Sequence, residues 1–203
     1  MFIHVRKSQL AIPAEEAVKR TRDLIIPMLR KQPGFRGYFG SILRDGREAV
    51  TVTLYDDAST AARANDAVRE TVGGQTWISG DSEVSHGRVV LGANMGAVPP
   101  DGAFVVIRAF DGVKGGDVDR ATLVREIMMP IITQAPGFVA HYGFTNDRTP
   151  GQAVALSVFG AEEDAMRSHD QVLAAIDRND KLKEAMPNPP RVTAGPVTVL
   201  AMP

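Results

Sequence analysis

The sequence predicts an α+β fold of two tandem β-α-β-β-α-β modules, and three observations predict it. The phrase Pro27-Met-Leu-Arg-Lys-Gln-Pro-Gly-Phe35 returns as Pro130-Ile-Ile-Thr-Gln-Ala-Pro-Gly-Phe138. The segments around it return in the same order: Phe2–Arg6 as Phe104–Arg108, Ala49–Tyr55 as Ala153–Phe159, and Gly87–Leu91 as Gly195–Val199. In both stretches the apolar pattern switches between the two-residue period of a strand and the longer period of a helix. A repeat this long exceeds a solenoid unit and approaches a small domain. It therefore argues for a tandem duplication whose halves pack as a pseudo-dimer.

Residues 2–7 read as the first strand. Ile12-Pro13-Ala14-Glu15-Glu16 then opens a helix, with proline and acidic residues at favoured first-turn positions, that runs to about Lys31. Val18, Leu24, Ile25, Met28 and Leu29 recur at helical spacing, matched by Ala121, Ile127, Met128, Ile131 and Ile132 in the second copy. Pro27 and Pro130 each remove one ladder hydrogen bond near the helix end and predict a bend there.

Phe35–Leu43, the turn Arg44-Asp-Gly-Arg47 and Ala49–Tyr55 read as a hairpin; Phe138–Thr145, a longer turn over 146–151 and Ala153–Phe159 repeat it. Second helices are predicted near 58–70 and 161–178, and closing strands near 84–91 and 192–200. This is the split order of the ferredoxin-like fold, a four-stranded antiparallel sheet with both helices on one face. The glycine- and proline-containing stretch before the second copy marks a boundary, so the modules are placed at 1–92 and 103–203 with a linker at 93–102. Val50, Val52 and Leu54 alternate with Ala49, Thr51, Thr53 and Tyr55, so both faces of the hairpin carry apolar groups. The face without helices needs a cover, and the other copy supplies it. Two such sheets meeting face to face curl into a pseudo-dimeric α/β barrel with the helices outside.

With 44% hydrophobic residues over 203 positions the chain can bury two modest cores. Its 23 Lys and Arg against 24 Asp and Glu point to neither a nucleic-acid partner nor a membrane surface. The absence of cysteine removes disulfides, thiolate metal sites and thiol nucleophiles, and accords with a cytoplasmic setting. The N-terminal segment does not read as a signal peptide, and no apolar run reaches the length of a membrane span.

The Pro-Gly-Phe phrase after helix one, the aromatic-rich second strand, the Val-rich third strand ending in Tyr or Phe and the Ala-rich second helix together resemble the dimeric α/β-barrel superfamily. Within it they are most similar to tandem antibiotic-biosynthesis-monooxygenase (ABM)-like domains. The resemblance covers nearly the whole chain twice. It implies a pocket in each module for a flat, apolar, often aromatic molecule, with no cofactor. The superfamily also includes haem-degrading and dechlorinating members, so fold alone does not choose the activity.

Four histidines can be weighed singly. His169 lies on the inward stripe of the second helix, where copy one has Asn65. A polar residue at this place in both copies indicates a buried hydrogen bond or a pocket wall. His141 on the second strand stands opposite Tyr38 of copy one, with Tyr142 beside it. A ring of near-neutral pKa there is either a base able to deprotonate a phenol or hydroquinone before reaction with dioxygen, or a half-exposed strand residue. Arg6 and Arg108 share the first-strand position; each either holds an anionic oxygen or pairs with a carboxylate or helix end. His4 lies on the face of Arg6, and His86 falls in a Ser-His-Gly turn.

Trp77, the sole tryptophan, reads as a lid or packing residue. In haem-degrading relatives an Asn on strand one acts with a Trp and a His; strand one here offers His4 and Arg6 instead, which weakens that reading. No metal-ligand spacing occurs, and Gly112-Val-Lys-Gly-Gly116 lacks the spacing of a nucleotide-binding fingerprint. The leading expectation is a cofactor-independent monooxygenase-like protein acting on a small aromatic or polyketide-like substrate. In it His141 and His169 are the catalytic candidates, and Tyr38, Asn65, Arg108, Tyr142, Arg6 and Trp77 bind substrate. The alternative is a non-catalytic small-ligand-binding or stress-response protein of the same fold. In either case the partner is a small apolar or aromatic molecule, and the assembly is a monomeric pseudo-dimer or a homodimer.

Overall fold

The structure, a computed structural model, describes residues 1–72, 77–94 and 102–202. Most of the predicted linker, residues 95–101, lies outside them, while Ala93 and Asn94 belong to a strand. The chain forms two compact units, residues 1–88 with 197–203 and residues 89–196.

In unit 1, β1 (Phe2–Leu10) leads into α1 (Ala14–Arg20), a π-helical turn (Thr21–Ile25) and α2 (Ile26–Arg30). β2 (Phe35–Ile42) and β3 (Glu48–Tyr55) form the hairpin, α3 (Ala58–Val72) follows, and β4 (Ile78–Asn94) closes the sheet in the order β4-β1-β3-β2. Unit 2 repeats the plan. β5 (Phe104–Asp111) leads into α4 (Asp117–Leu123), a π-helical turn (Val124–Met128) and α5 (Met129–Thr133). β6 (Phe138–Thr145), β7 (Gln152–Phe159), α6 (Glu162–Arg178), α7 (Asp180–Ala185) and β8 (Arg191–Ala201) complete it, in the sheet order β8-β5-β7-β6. β4 starts earlier than predicted, with Ile78–Glu83 lengthening its pairing with β1, and each closing strand also continues past its own sheet. Val89–Asn94 pairs with β6, and Val197–Ala201 with β2. The result is a closed eight-stranded antiparallel barrel, β1-β3-β2-β8-β5-β7-β6-β4.

The two repeated motifs have local causes. Pro27 and Pro130 have no N–H and their rings press on the carbonyl four residues back, and the helix widens just before each of them. Ile26 N–H reaches Thr21 O, and Met129 N–H reaches Val124 O, five residues back in both copies. In the Pro-Gly-Phe phrase Gly34 and Gly137 hold φ of +80° and +67°, and their carbonyls accept from Asp56 N and Gly160 N. The positive φ favours glycine at both places, and a Cβ at Gly137 would also have to displace the Asp164 carboxylate, whose Oδ2 would lie 2.7 Å away.

Each unit packs its helices on one face of its sheet. In unit 1 Ile25, Ile26 and Leu29 meet Tyr38, Tyr55, Ala61 and Ala64; in unit 2 Met128 and Ile132 meet Phe104, Val106, Phe110, Ala165 and Val172. Val50, Val52 and Leu54 are fully buried, so the apolar side of the hairpin is covered as the alternation required.

Candidate functional site

Each unit has a cavity between its sheet and its helices, and the two differ in size and chemistry. The unit 1 cavity has a volume of about 260 Å³. Strand alternation brings Arg6 and Ser8 from β1, Tyr38 and Gly40 from β2 and Thr51 and Thr53 from β3 onto the helix-facing side. The π-helical turn contributes Thr21 and Ile25, and Trp77 forms a further wall with the Arg20 guanidinium 5.5 Å from its ring centroid. Arg6 is the one charged residue among the described lining residues, and no carboxylate accompanies it. Its Nη2 donates to Asn65 Oδ1 at 2.7 Å. Burial and the nearby Arg69 lower its pKa, without threatening its charge near neutrality. Burial raises the pKa of Tyr38 despite the opposing effects of Arg6 and a hydrogen bond with Thr21, so the phenol stays protonated. Thr21 Oγ1 already donates to Ala17 O, which leaves Tyr38 as the donor to Thr21. The Ser41 hydroxyl is buried on the same lining without a partner in the described residues.

The unit 2 cavity is about 60 Å³. Phe110 stands where unit 1 has Ser8, and Met186, at the end of α7, also enters the lining. Arg108 and His141 face this space. Arg108 is 1% exposed, with Nε donating to His169 Nδ1 at 2.9 Å and Nη1 to Ser157 Oγ at 3.4 Å. Ser157 Oγ and His141 Nδ1 are 2.9 Å apart, as expected of residues paired directly across β6 and β7. Burial, with Arg108 beside it, holds the His141 pKa down to about 3. His169 is lowered by burial and by Arg108, with Asp170 opposing. Both rings are therefore neutral near pH 7.

No family model matches the sequence, and no curated protein is detectably similar to it. Solved structures do match. A candidate monooxygenase from Fusobacterium nucleatum subsp. nucleatum has a TM-score of 0.76 at 16% identity, over 99% of this chain and 94% of its own. An anthrone oxidase-like protein has a TM-score of 0.66 at 12% identity, over 99% and 92%. The chain has the dimeric α/β-barrel fold. A mutant chlorite dismutase from Candidatus Nitrospira defluvii also has it, with a TM-score of 0.60 at 12% identity over 97% and 90%.

On this barrel the expected site residues separate into two groups. Arg6, Tyr38, Asn65 and Trp77 come together at the unit 1 cavity; Arg108, His141 and His169 come together in unit 2. Tyr142 joins neither lining: neighbouring strand residues face opposite ways, and its hydroxyl pairs with Asn94 instead. The expected carboxylate partners of Arg6 and Arg108 are replaced by Asn65 and His169. His86 is within β4, not in a turn, and stacks on His4 at 4.8 Å. Ser157 and Thr53 were not singled out from sequence. The signal was present, since each is the hydroxyl residue paired across the hairpin with His141 or Tyr38.

A structural neighbour from Listeria monocytogenes is a haem-degrading enzyme, and the residues here do not fit haem. Among the described residues no histidine lines the roomier cavity, its Tyr38 is kept protonated, and the cavity holding His141 is far too small for a porphyrin.

Proposed function

We propose that the protein is a cofactor-independent monooxygenase-like protein of the tandem ABM type, acting on a small aromatic or polyketide-like molecule bound in the unit 1 cavity. The observation that carries this reading is the pairing of Arg6, a cation without a carboxylate, with the protonated Tyr38 in an otherwise apolar space. Such donors favour the anionic form of a bound ketone or phenol, because charge developing on its oxygen meets groups already oriented in a low-dielectric site. The substrate then loses a proton to water and gives its electrons to dioxygen. For an activated methylene, CH2 plus O2 yields C=O plus H2O, with one oxygen atom retained and the other released. The candidate monooxygenase and anthrone oxidase-like neighbours support a reaction of this class. In this reading the modules divide at 1–92, 93–102 and 103–203, and the protein works in the cytoplasm as a monomeric pseudo-dimer or a homodimer.

One observation favours the non-catalytic alternative: no described residue lining the cavity has a pKa near neutrality, the usual property of a general base. Oxygen uptake with anthrones and hydroquinones, and mass spectrometry of products formed under 18O2, separate the readings. Incorporation of one labelled atom, lost in Arg6→Met and Tyr38→Phe, supports the oxygenase. Binding without uptake supports the ligand-binding protein. Uptake lost in His141→Ala or His169→Ala but retained in Arg6→Met would move the site to unit 2.

A further inference from the structure

We infer that the unit 2 cavity is a binding site for a compact monovalent anion of halide or formate size, held between Arg108 Nη2 and His141 Nε2. Both nitrogens are buried, and neither has a hydrogen-bond partner among the described residues. Arg108 and His141 are 1% exposed, and both line the cavity. The Nε2 end of His141 is the end nearest Gly143, itself a lining residue.

Arg108 Nη2 is a donor in any case, and His141 Nε2 is one in the tautomer that the proposed site requires. Arg108 Nε–H points to His169 Nδ1, which must accept, because a guanidinium only donates. Arg108 Nη1 donates to Ser157 Oγ, which leaves the serine hydrogen available to His141 Nδ1, the arrangement that the proposed site requires. A neutral ring accepting at Nδ1 carries its hydrogen at Nε2. Two buried N–H groups without a partner then belong to residues that line one small space, and one of them carries a full positive charge. Leaving both unmet is costly, and an anion meets both.

The rest of the lining leaves this demand standing. Among the described lining residues Asp117 is the only carboxylate, and it is engaged by Arg120 and by Thr145 Oγ1 at 2.8 Å. No carboxylate pairs with Arg108 among the described residues. About 60 Å³ admits a halide or formate and excludes an aromatic substrate. Unit 1 offers no such pair, since Tyr38 stands where unit 2 has His141 and its phenol is engaged with Thr21. The site is thus separate from the proposed substrate cavity and stands whether or not the chain is an oxygenase.

The test uses the whole wild-type protein. Long-range 15N spectra should show His141 as the Nε2–H tautomer, with that nitrogen shifting saturably as sodium bromide replaces sodium gluconate at constant ionic strength. Sodium formate should do the same. Crystals grown in bromide should show an anomalous peak within hydrogen-bond distance of both nitrogens. The thermal midpoint should rise with bromide in wild type and stay flat in Arg108→Met. An Nδ1–H tautomer overturns the inference, as does a cavity without an anomalous peak at molar bromide. The spectra and crystals need only the wild-type chain, so the inference remains testable if Arg108→Met fails to fold.

Discussion

Arg108 donates through Nε to His169 Nδ1 at 2.9 Å, the counterpart of Arg6 donating through Nη2 to Asn65 Oδ1 at 2.7 Å. In both units a first-strand arginine is therefore tied to an acceptor on the second helix. The acceptor has changed from an amide oxygen to a ring nitrogen while the arginine has been kept. What the position requires is a lone pair beside a buried guanidinium.

His169→Ala should accordingly destabilise the protein by about 2 to 4 kcal/mol, because it leaves a charged donor buried without an acceptor. His169→Asn restores the arrangement of the other copy and should stay within about 1 kcal/mol of wild type. Guanidinium unfolding of the three proteins checks this. Equal losses in the two variants would mean that His169 acts through ring packing.

The histidines of unit 2 also set an acid limit. In the unfolded chain His141 titrates near its ordinary value of about 6.5, whereas burial and Arg108 hold it down to about 3 in the folded protein. Between those values only the unfolded chain takes up the proton. Stability is therefore full above the unfolded value and is lost as pH falls below it, at about 1.4 kcal/mol per unit, until the folded value is reached. His141 alone should remove about 2 kcal/mol between pH 7.5 and 5. His169, lowered in the same direction, adds to the loss. Denaturant midpoints across this range should fall less steeply in His141→Gln than in wild type.

Gly40 and Gly143 occupy matching places, two residues beyond Tyr38 and His141, and differ in the room they leave. A Cβ at position 40 would lie 3.1 Å from Tyr38 Cε1 and 3.3 Å from Val199 Cβ. At position 143 the nearest approach is 3.4 Å, to Leu91 Cβ. Gly40→Ala should cost about 1 to 3 kcal/mol by displacing the tyrosine ring, and Gly143→Ala less than about 1. Comparison of thermal unfolding decides it. A larger loss for Gly143→Ala would contradict the packing described around Tyr38.

How far these features were legible in the sequence depended on the range of the interaction. The Pro-Gly-Phe repeat and the alternation of Val50, Val52 and Leu54 are local patterns, and they led to the tandem plan and the barrel. Pro27 foretold a disturbance in the helix, but not that it would take the form of a π-helical turn upstream, because that form depends on what the helix packs against. The helix α7 was missed. Its signal is the Asn179 side chain accepting from Leu182 N at 3.1 Å, and one capping residue before six helical ones is easily read as loop. Asn65 and His169 were recognised as inward polar positions, but a distant arginine cannot be matched to them by spacing alone. Ser157 reads as an ordinary strand residue until the register sets it opposite His141. The difference in cavity size rests on Phe110 in place of Ser8 and on Met186, a packing outcome that no single motif announces.

Trp77 makes the roomier cavity directly observable. It is the only tryptophan in the chain, lies in the cavity wall and is 8% exposed, with Arg20 over its ring. An aromatic ligand entering the cavity changes the surroundings of this one fluorophore, so intrinsic emission should quench saturably during titration with an anthrone or hydroquinone. Arg6→Met should weaken that titration by about tenfold, the effect of losing about 1.4 kcal/mol of charge-assisted hydrogen bonding. His141→Gln should leave it within about twofold, because His141 lies in the other unit's cavity. Saturable quenching that responds to His141→Gln and ignores Arg6→Met would assign the ligand to unit 2. Unchanged emission alongside binding measured calorimetrically would place the ligand away from Trp77 and overturn the assignment of the unit 1 cavity.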